Sequence, residues 1–172
     1  MAAAVLAERD NTARPFAIVD KRAARLYVFA ADGTLRGHSP VLVGSTWGDH
    51  IVPGVGERAQ ENAVRDDERT TPAGRFDAVP GQNLSGEHVV WVDYASAFAI
   101  HRLRPGRSFK VRAQRLAGAN PAAKRLSLGC VIAPVAFYEQ VVQPVLGAAR
   151  SVVYVLPETR PLREVFATLQ AG

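Results

Sequence analysis

Leu126-Ser127-Leu128-Gly129-Cys130-Val131-Ile132-Ala133-Pro134 carries the only cysteine in a chain of 172 residues. Gly129 permits a backbone turn that a residue with a β-carbon resists. Such a turn can aim consecutive N–H groups at one point beside the sulfur. With Pro134 as the first residue of a helix, a position its missing N–H and fixed φ suit, Cys130 stands just ahead of that helix's positive end. A thiol there ionises more readily, and the thiolate is the nucleophile. A lone cysteine is also a common buried, inert residue, so this stretch alone leaves both readings open.

A nucleophilic cysteine needs a base, and the chain offers His38, His50, His88 and His101. His101 has the most suggestive setting. It ends the alternating run Tyr94-Ala95-Ser96-Ala97-Phe98-Ala99-Ile100-His101, which reads as a buried strand, and Arg102 and Arg104 follow it. His38 reads as a strand or turn residue, His50 falls in a glycine-rich loop and His88 begins a strand. These three read as structural or exposed.

The order His101 … Ser127-x-Gly129-Cys130 resembles the signature of the L,D-transpeptidase (YkuD-type) catalytic domain, a histidine at a strand end followed by Ser/Thr-x-Gly-Cys. Other segments resemble that family in the same order. Phe16–Lys21 and Arg25–Phe29 are similar to its opening hairpin, Val41–Gly44 to its third strand, and Thr71-Pro72-Ala73-Gly74-Arg75-Phe76 to its Thr-Pro-x-Gly-x-Phe element. Three positions depart from the pattern. Leu128 stands where the family often has His before the Gly-Cys pair. Ile132 stands where Arg or Asn is usual, and Arg102 follows the base where Gly is usual.

The resemblance implies a mainly β fold, a β-sandwich of mixed sheets with a few short helices. It implies residues 15–172 as the catalytic domain, while the Ala-rich then polar composition of residues 1–14 reads as a flexible lead-in. The implied activity is peptidoglycan L,D-transpeptidation. Cys130 attacks the carbonyl of a donor stem peptide, with His101 taking or relaying its proton. Backbone N–H groups of Leu128, Gly129 and Cys130 hold the oxyanion, and Ser127 orients the His101 ring through its carbonyl or hydroxyl. Tyr94 and Arg102 are the candidate substrate contacts. The acceptor is a second stem, a free D-amino acid or an outer-membrane lipoprotein. Such a protein acts in the periplasm or cell envelope. Two alternatives use the same segments: hydrolysis of stem peptides at the same Cys–His site, and a non-catalytic wall-binding module suggested by Leu128 and Ile132.

Composition is compatible with one soluble domain, 48% hydrophobic and 22% charged. A formal net charge of +5 suits an acidic partner. Carboxylate-bearing stem peptides fit it, whereas no nucleic-acid-binding motif or interleaved aromatics accompany the arginines. No run approaches the length of a membrane span, and Met1–Ala7 is short for a secretory signal and lacks its basic start. No His-Glu-x-x-His, Cys-x-x-Cys or phosphate-loop pattern occurs, so nothing calls for a metal or cofactor.

Along the chain, strands are expected over Pro15–Asp20, Arg25–Ala30, Thr34–Gly44, Arg75–Val79, Glu87–Asp93, Tyr94–Arg102 and Ser151–Leu156. Asp32-Gly33 marks a hairpin turn, and Pro40 argues for an edge strand or bulge. Ser45–Thr70 is a long charged loop, read as a lid or rim with a short helix around Arg58–Val64. A basic helix or extended rim is expected over Phe109–Leu116. Pro134–Val142 is expected to be helical until Pro144 ends or kinks it, and Pro161–Gln170 forms a C-terminal helix.

Overall fold

The computed structural model describes residues 1–169. Its strands are β1 (Phe16–Asp20), β2 (Arg25–Phe29), β3 (Leu35–Pro40), β4 (Val43–Gly44), β5 (Gly74–Gln82), β6 (His88–Asp93), β7 (Phe98–Arg102), β8 (Arg125–Ser127), β9 (Val131–Ala133) and β10 (Ser151–Val155). Eight of them form one mixed sheet in the order β3-β2-β1-β10-β5-β6-β7-β9, and β4 pairs with β8 beside it. β1–β10 and β7–β9 are parallel, and the other neighbours in the large sheet are antiparallel. Leu42, just after β3, exchanges two 2.9 Å backbone hydrogen bonds with Ile132 on β9. The sheet is thereby nearly closed on itself.

The apolar pattern explains the layering. Ala17, Val19, Val153 and Val155 point into the core inside the curled sheet, while Phe16, Ile18, Val152 and Tyr154 point into a second core outside it. β1 and β10 are therefore covered on both faces, which is why they read as continuous apolar runs. In β2 only alternate residues, Leu26 and Val28, are buried. Pro40 closes β3 at the sheet edge, where a missing ladder donor is tolerated.

Short helices flank the sheet. Along the chain these are α1 (Ala2–Ala7), α2 (Val55–Gln60), α3 (Phe109–Ala117), α4 (Val135–Phe137), α5 (Gln143–Leu146) and α6 (Leu162–Val165). Between α4 and α5 runs a π-helical turn, Tyr138–Val142, and Tyr138, Val142 and Leu146 enter the inner core. Pro144 does not end this segment. It occupies the first turn of α5, directly after the π-turn, where its missing N–H breaks no ladder.

Several expectations change. Composition suggests a flexible lead-in over 1–14, but α1 folds there and buries Val5 completely against the outer core. Asp10 and Arg14 are tied to Arg75 and Asp77 on β5. Thr34–Gly44 breaks into β3 and β4 because Leu42 turns aside to bridge β9. Tyr94–Ala97 is a turn, so β7 begins only at Phe98. The helix in the charged loop lies earlier than expected, at α2, with a 3-10 turn at Asp66–Glu68. The C-terminal helix is confined to α6, and Gln170 lies outside the described residues.

Candidate active site

His101 and Cys130 come from neighbouring strands. β7 and β9 run parallel with Ile100 level with Val131 and His101 level with Ile132. Continued one residue back, that ladder sets Cys130 level with Ala99. Side chains two apart on a strand share a face, so the imidazole and the sulfur lie diagonally on the same side of the sheet. Both border one cleft of about 580 Å³. The Ser45–Thr70 loop supplies a wall of it through His50, Val52, Val55, Val64 and Thr70.

The loop before the cysteine is tightly tied. Ser127 Oγ donates to the Cys130 carbonyl at 2.6 Å and accepts the Gly129 N–H at 3.1 Å. The Ser127 carbonyl accepts the Ser45 N–H at 3.0 Å. Thr71 Oγ1 donates to the Gly129 carbonyl at 2.7 Å while accepting the Gly44 N–H at 2.8 Å. Gly129 has φ +133°, and a β-carbon there would sit 2.7 Å from the Thr70 carbonyl oxygen. Only glycine fits both demands.

These contacts revise two expected roles. Ser127 makes no hydrogen bond to the imidazole: its hydroxyl braces the Gly129–Cys130 turn and its carbonyl accepts from Ser45. The orienting group is the carbonyl of Arg102, 2.8 Å from His101 Nδ1. A carbonyl only accepts, so Nδ1 carries the proton and Nε2 keeps its lone pair. Of the three amides read as an oxyanion cradle, that of Gly129 points to Ser127. The amides of Leu128 and Cys130 are the remaining pair.

Electrostatics differ from a helix-activated thiol. Pro134 is the N-cap of α4, and the three residues of β9 separate it from Cys130. At roughly 3.3 Å per strand residue the helix end is about 13 Å further on, beyond its effective range. Burial pushes the Cys130 thiol above its ordinary value, and Sγ lies 3.4 Å from the Ala97 carbonyl. Burial, reinforced by the Arg104 cation, lowers His101 to about 4. The resting pair is a neutral thiol and a neutral imidazole, which suits proton transfer during attack rather than before it.

No family model matches the chain, and no curated protein matches it. Several solved structures resemble it, an NMR structure among them. That structure is the NMR model of the catalytic domain from an E. faecium L,D-transpeptidase, 18% identical, covering 82% of this chain and 95% of that one, with a TM-score of 0.42. The likeness assigns no role to any residue here.

The substrate contacts divide. Tyr94 is 73% exposed, borders the cleft and packs edge-on against Trp91, which borders it too. Arg102 turns away and pairs with Glu87 at 3.0 Å. Arg104 and Arg112 border the cleft instead. Leu128 is half exposed at the rim, whereas Ile132 is buried with Leu42, Leu103 and Leu116 and so anchors α3. Asp49 and His50 do not form an acid–base pair: Asp49 is buried on Lys21, 2.6 Å away, while His50 is exposed. Among the described residues no three His, Cys, Asp or Glu side chains converge as metal ligands, and no helix is long and apolar enough to cross a membrane. Sequence reasoning missed Arg112. Its spacing of four from Leu116 within a helical pattern was the available signal.

Proposed function

We propose that the chain is a cysteine acyltransferase of the L,D-transpeptidase type, acting on peptidoglycan stem peptides in the cell envelope. The observation that carries this reading is the shared face of His101 and Cys130 over one cleft, joined to the Ser127-x-Gly129-Cys130 motif. His101 Nε2 takes the thiol proton as Sγ attacks the donor carbonyl. The amides of Leu128 and Cys130 hold the oxyanion, each such donor contributing on the order of 3 kcal/mol in the transition state. Collapse expels the terminal amino acid as its amine, which receives the proton from His101 and leaves a thioester on Cys130. An acceptor amine then attacks the thioester, gives its proton to His101, and releases the crosslinked peptide and the free thiol.

The test is intact mass after exposure to a carbapenem, followed by digestion of disaccharide peptides. A single adduct is expected, absent in Cys130→Ala and slowed roughly 10²-fold or more in His101→Ala. Crosslinked dimers among the products support transfer, whereas shortened monomers alone would replace it with hydrolysis. A folded protein whose thiol stays silent toward both carbapenem and iodoacetamide would overturn the enzymatic reading in favour of a binding module.

A further inference from the structure

The cleft carries more positive charge than proton transfer requires. Among the described residues its only carboxylate is Glu68, and Arg58 and Arg65 each hold that group at 2.6 Å. Arg104 and Arg112 line the same cleft. Arg104 shares the single carboxylate of Glu87 with Arg102, at 2.9 and 3.0 Å. Arg112 has no carboxylate partner among the described residues, and its guanidinium reaches only the Leu126 carbonyl, at 3.4 Å.

The aim of Arg112 is built into the fold. Leu116, one turn further along α3, is buried on Leu42, Leu103 and Ile132. Residues four apart share a helix face, so anchoring Leu116 on β9 turns Arg112 toward the cleft mouth. The cations of Arg104 and Arg112 both act on His101, behind the larger effect of burial. A guanidinium fork held half-buried without a counter-ion matches the geometry of a carboxylate. Glu87 already holds two neighbouring arginines, one at each carboxylate oxygen.

We propose that Arg112, assisted by Arg104, forms a carboxylate-binding subsite beside Cys130 that selects acyl donors bearing a free carboxylate near the carbonyl under attack. This rests on Cys130 being the nucleophile and names what the cleft prefers to deliver to it.

Iodoacetate and iodoacetamide differ in a carboxylate against a neutral amide, so the ratio of their rates with Cys130 reads the subsite directly. The ratio also cancels any general change in thiol reactivity. Relative to a free cysteine derivative at low salt, iodoacetate is expected to gain on iodoacetamide. Arg112→Gln should lower the ratio about fivefold, Arg112→Lys should keep part of it, and added salt should erode it in the unaltered protein. Arg115→Gln, on the exposed part of the same helix, should leave it unchanged. The salt titration needs no substitution, so the prediction stands even where a variant folds poorly. A reactive thiol whose ratio ignores both salt and Arg112→Gln would overturn the subsite alone. A thiol inert to both reagents would overturn the nucleophile and the subsite with it.

Discussion

Burial acts in opposite directions on the two reacting groups, holding His101 at about 4 and the Cys130 thiol above its ordinary value. The imidazole therefore stays a competent base well into acid. The acid limb of Cys130 alkylation is expected near pH 4 rather than 6.5, and the rate should keep rising with pH past the range of an ordinary thiol. A plateau at neutral pH would instead mark a preformed ion pair. The same shift has a stability consequence. The folded pKa lies below the unfolded one, so the unfolded chain binds more protons between pH 6.5 and 4, and stability falls as pH drops through that window. The loss is about 3 kcal/mol. Urea unfolding across these pH values should show it, and His101→Gln should flatten the slope.

At the scale of elements, the nucleophile loop is held by a segment that precedes β5. Thr71 serves two backbone groups at once, the Gly129 carbonyl and the Gly44 N–H. Thr71→Val keeps the shape but leaves both buried groups unpaired, at a cost of about 2 kcal/mol or more. Chemical denaturation should show that loss, with slower alkylation of Cys130 as the loop relaxes. Thr71→Ser keeps the hydroxyl and should restore most of both. Unchanged alkylation in a destabilised Thr71→Val would mean that Thr71 supports the fold without positioning the sulfur.

Across the whole molecule, a buried charge cluster ties distant parts of the chain together behind this loop. Lys21, just past β1, donates to Asp49 at 2.6 Å and to the carbonyls of Gly48 and Thr71 at 2.7 Å. Asp49 in turn accepts the N–H groups of Glu158, Thr159 and Arg160. Glu158 pairs with Arg125, which lies over the Trp47 ring. Burial alone would raise the Asp49 carboxyl, but Lys21 and the Thr159 and Glu158 donors outweigh it and hold it well below the usual carboxylate range. Its folded pKa is depressed, so its contribution is present above the unfolded value and is lost only in stronger acid. Lys21→Met strands a buried carboxylate and should cost about 3–5 kcal/mol. Adding Asp49→Asn should recover part of that in a melting series, and no recovery would mean that the two charges are not energetically coupled.

Local signals made much of this legible. Asp32-Gly33 marked a hairpin turn that the structure places between β2 and β3, with Gly33 at φ +87°. The apolar runs at β1, β6 and β10 identified strands, and β10 finds both its neighbours, β1 and β5, far away in sequence. The Tyr94–Ala97 turn escaped because its alternation continues that of β7, and α1 escaped because six mostly alanine residues carry no sign of the outer core they cover. Side-chain direction was harder still. Arg102 and Arg112 are equally basic on the page, yet one faces Glu87 and the other the cleft.

The sequence by itself determined where most strands of the large sheet lie, that an imidazole stands near the end of one of them, and that a glycine suits the position before the sulfur, because each follows from local spacing and residue type. Only the tertiary structure decided that Ser127 braces its own loop while the Arg102 carbonyl orients His101, that Asp49 belongs to Lys21, and that both reacting groups rest uncharged. Those outcomes depend on register between separate strands and on how much of the chain covers each group.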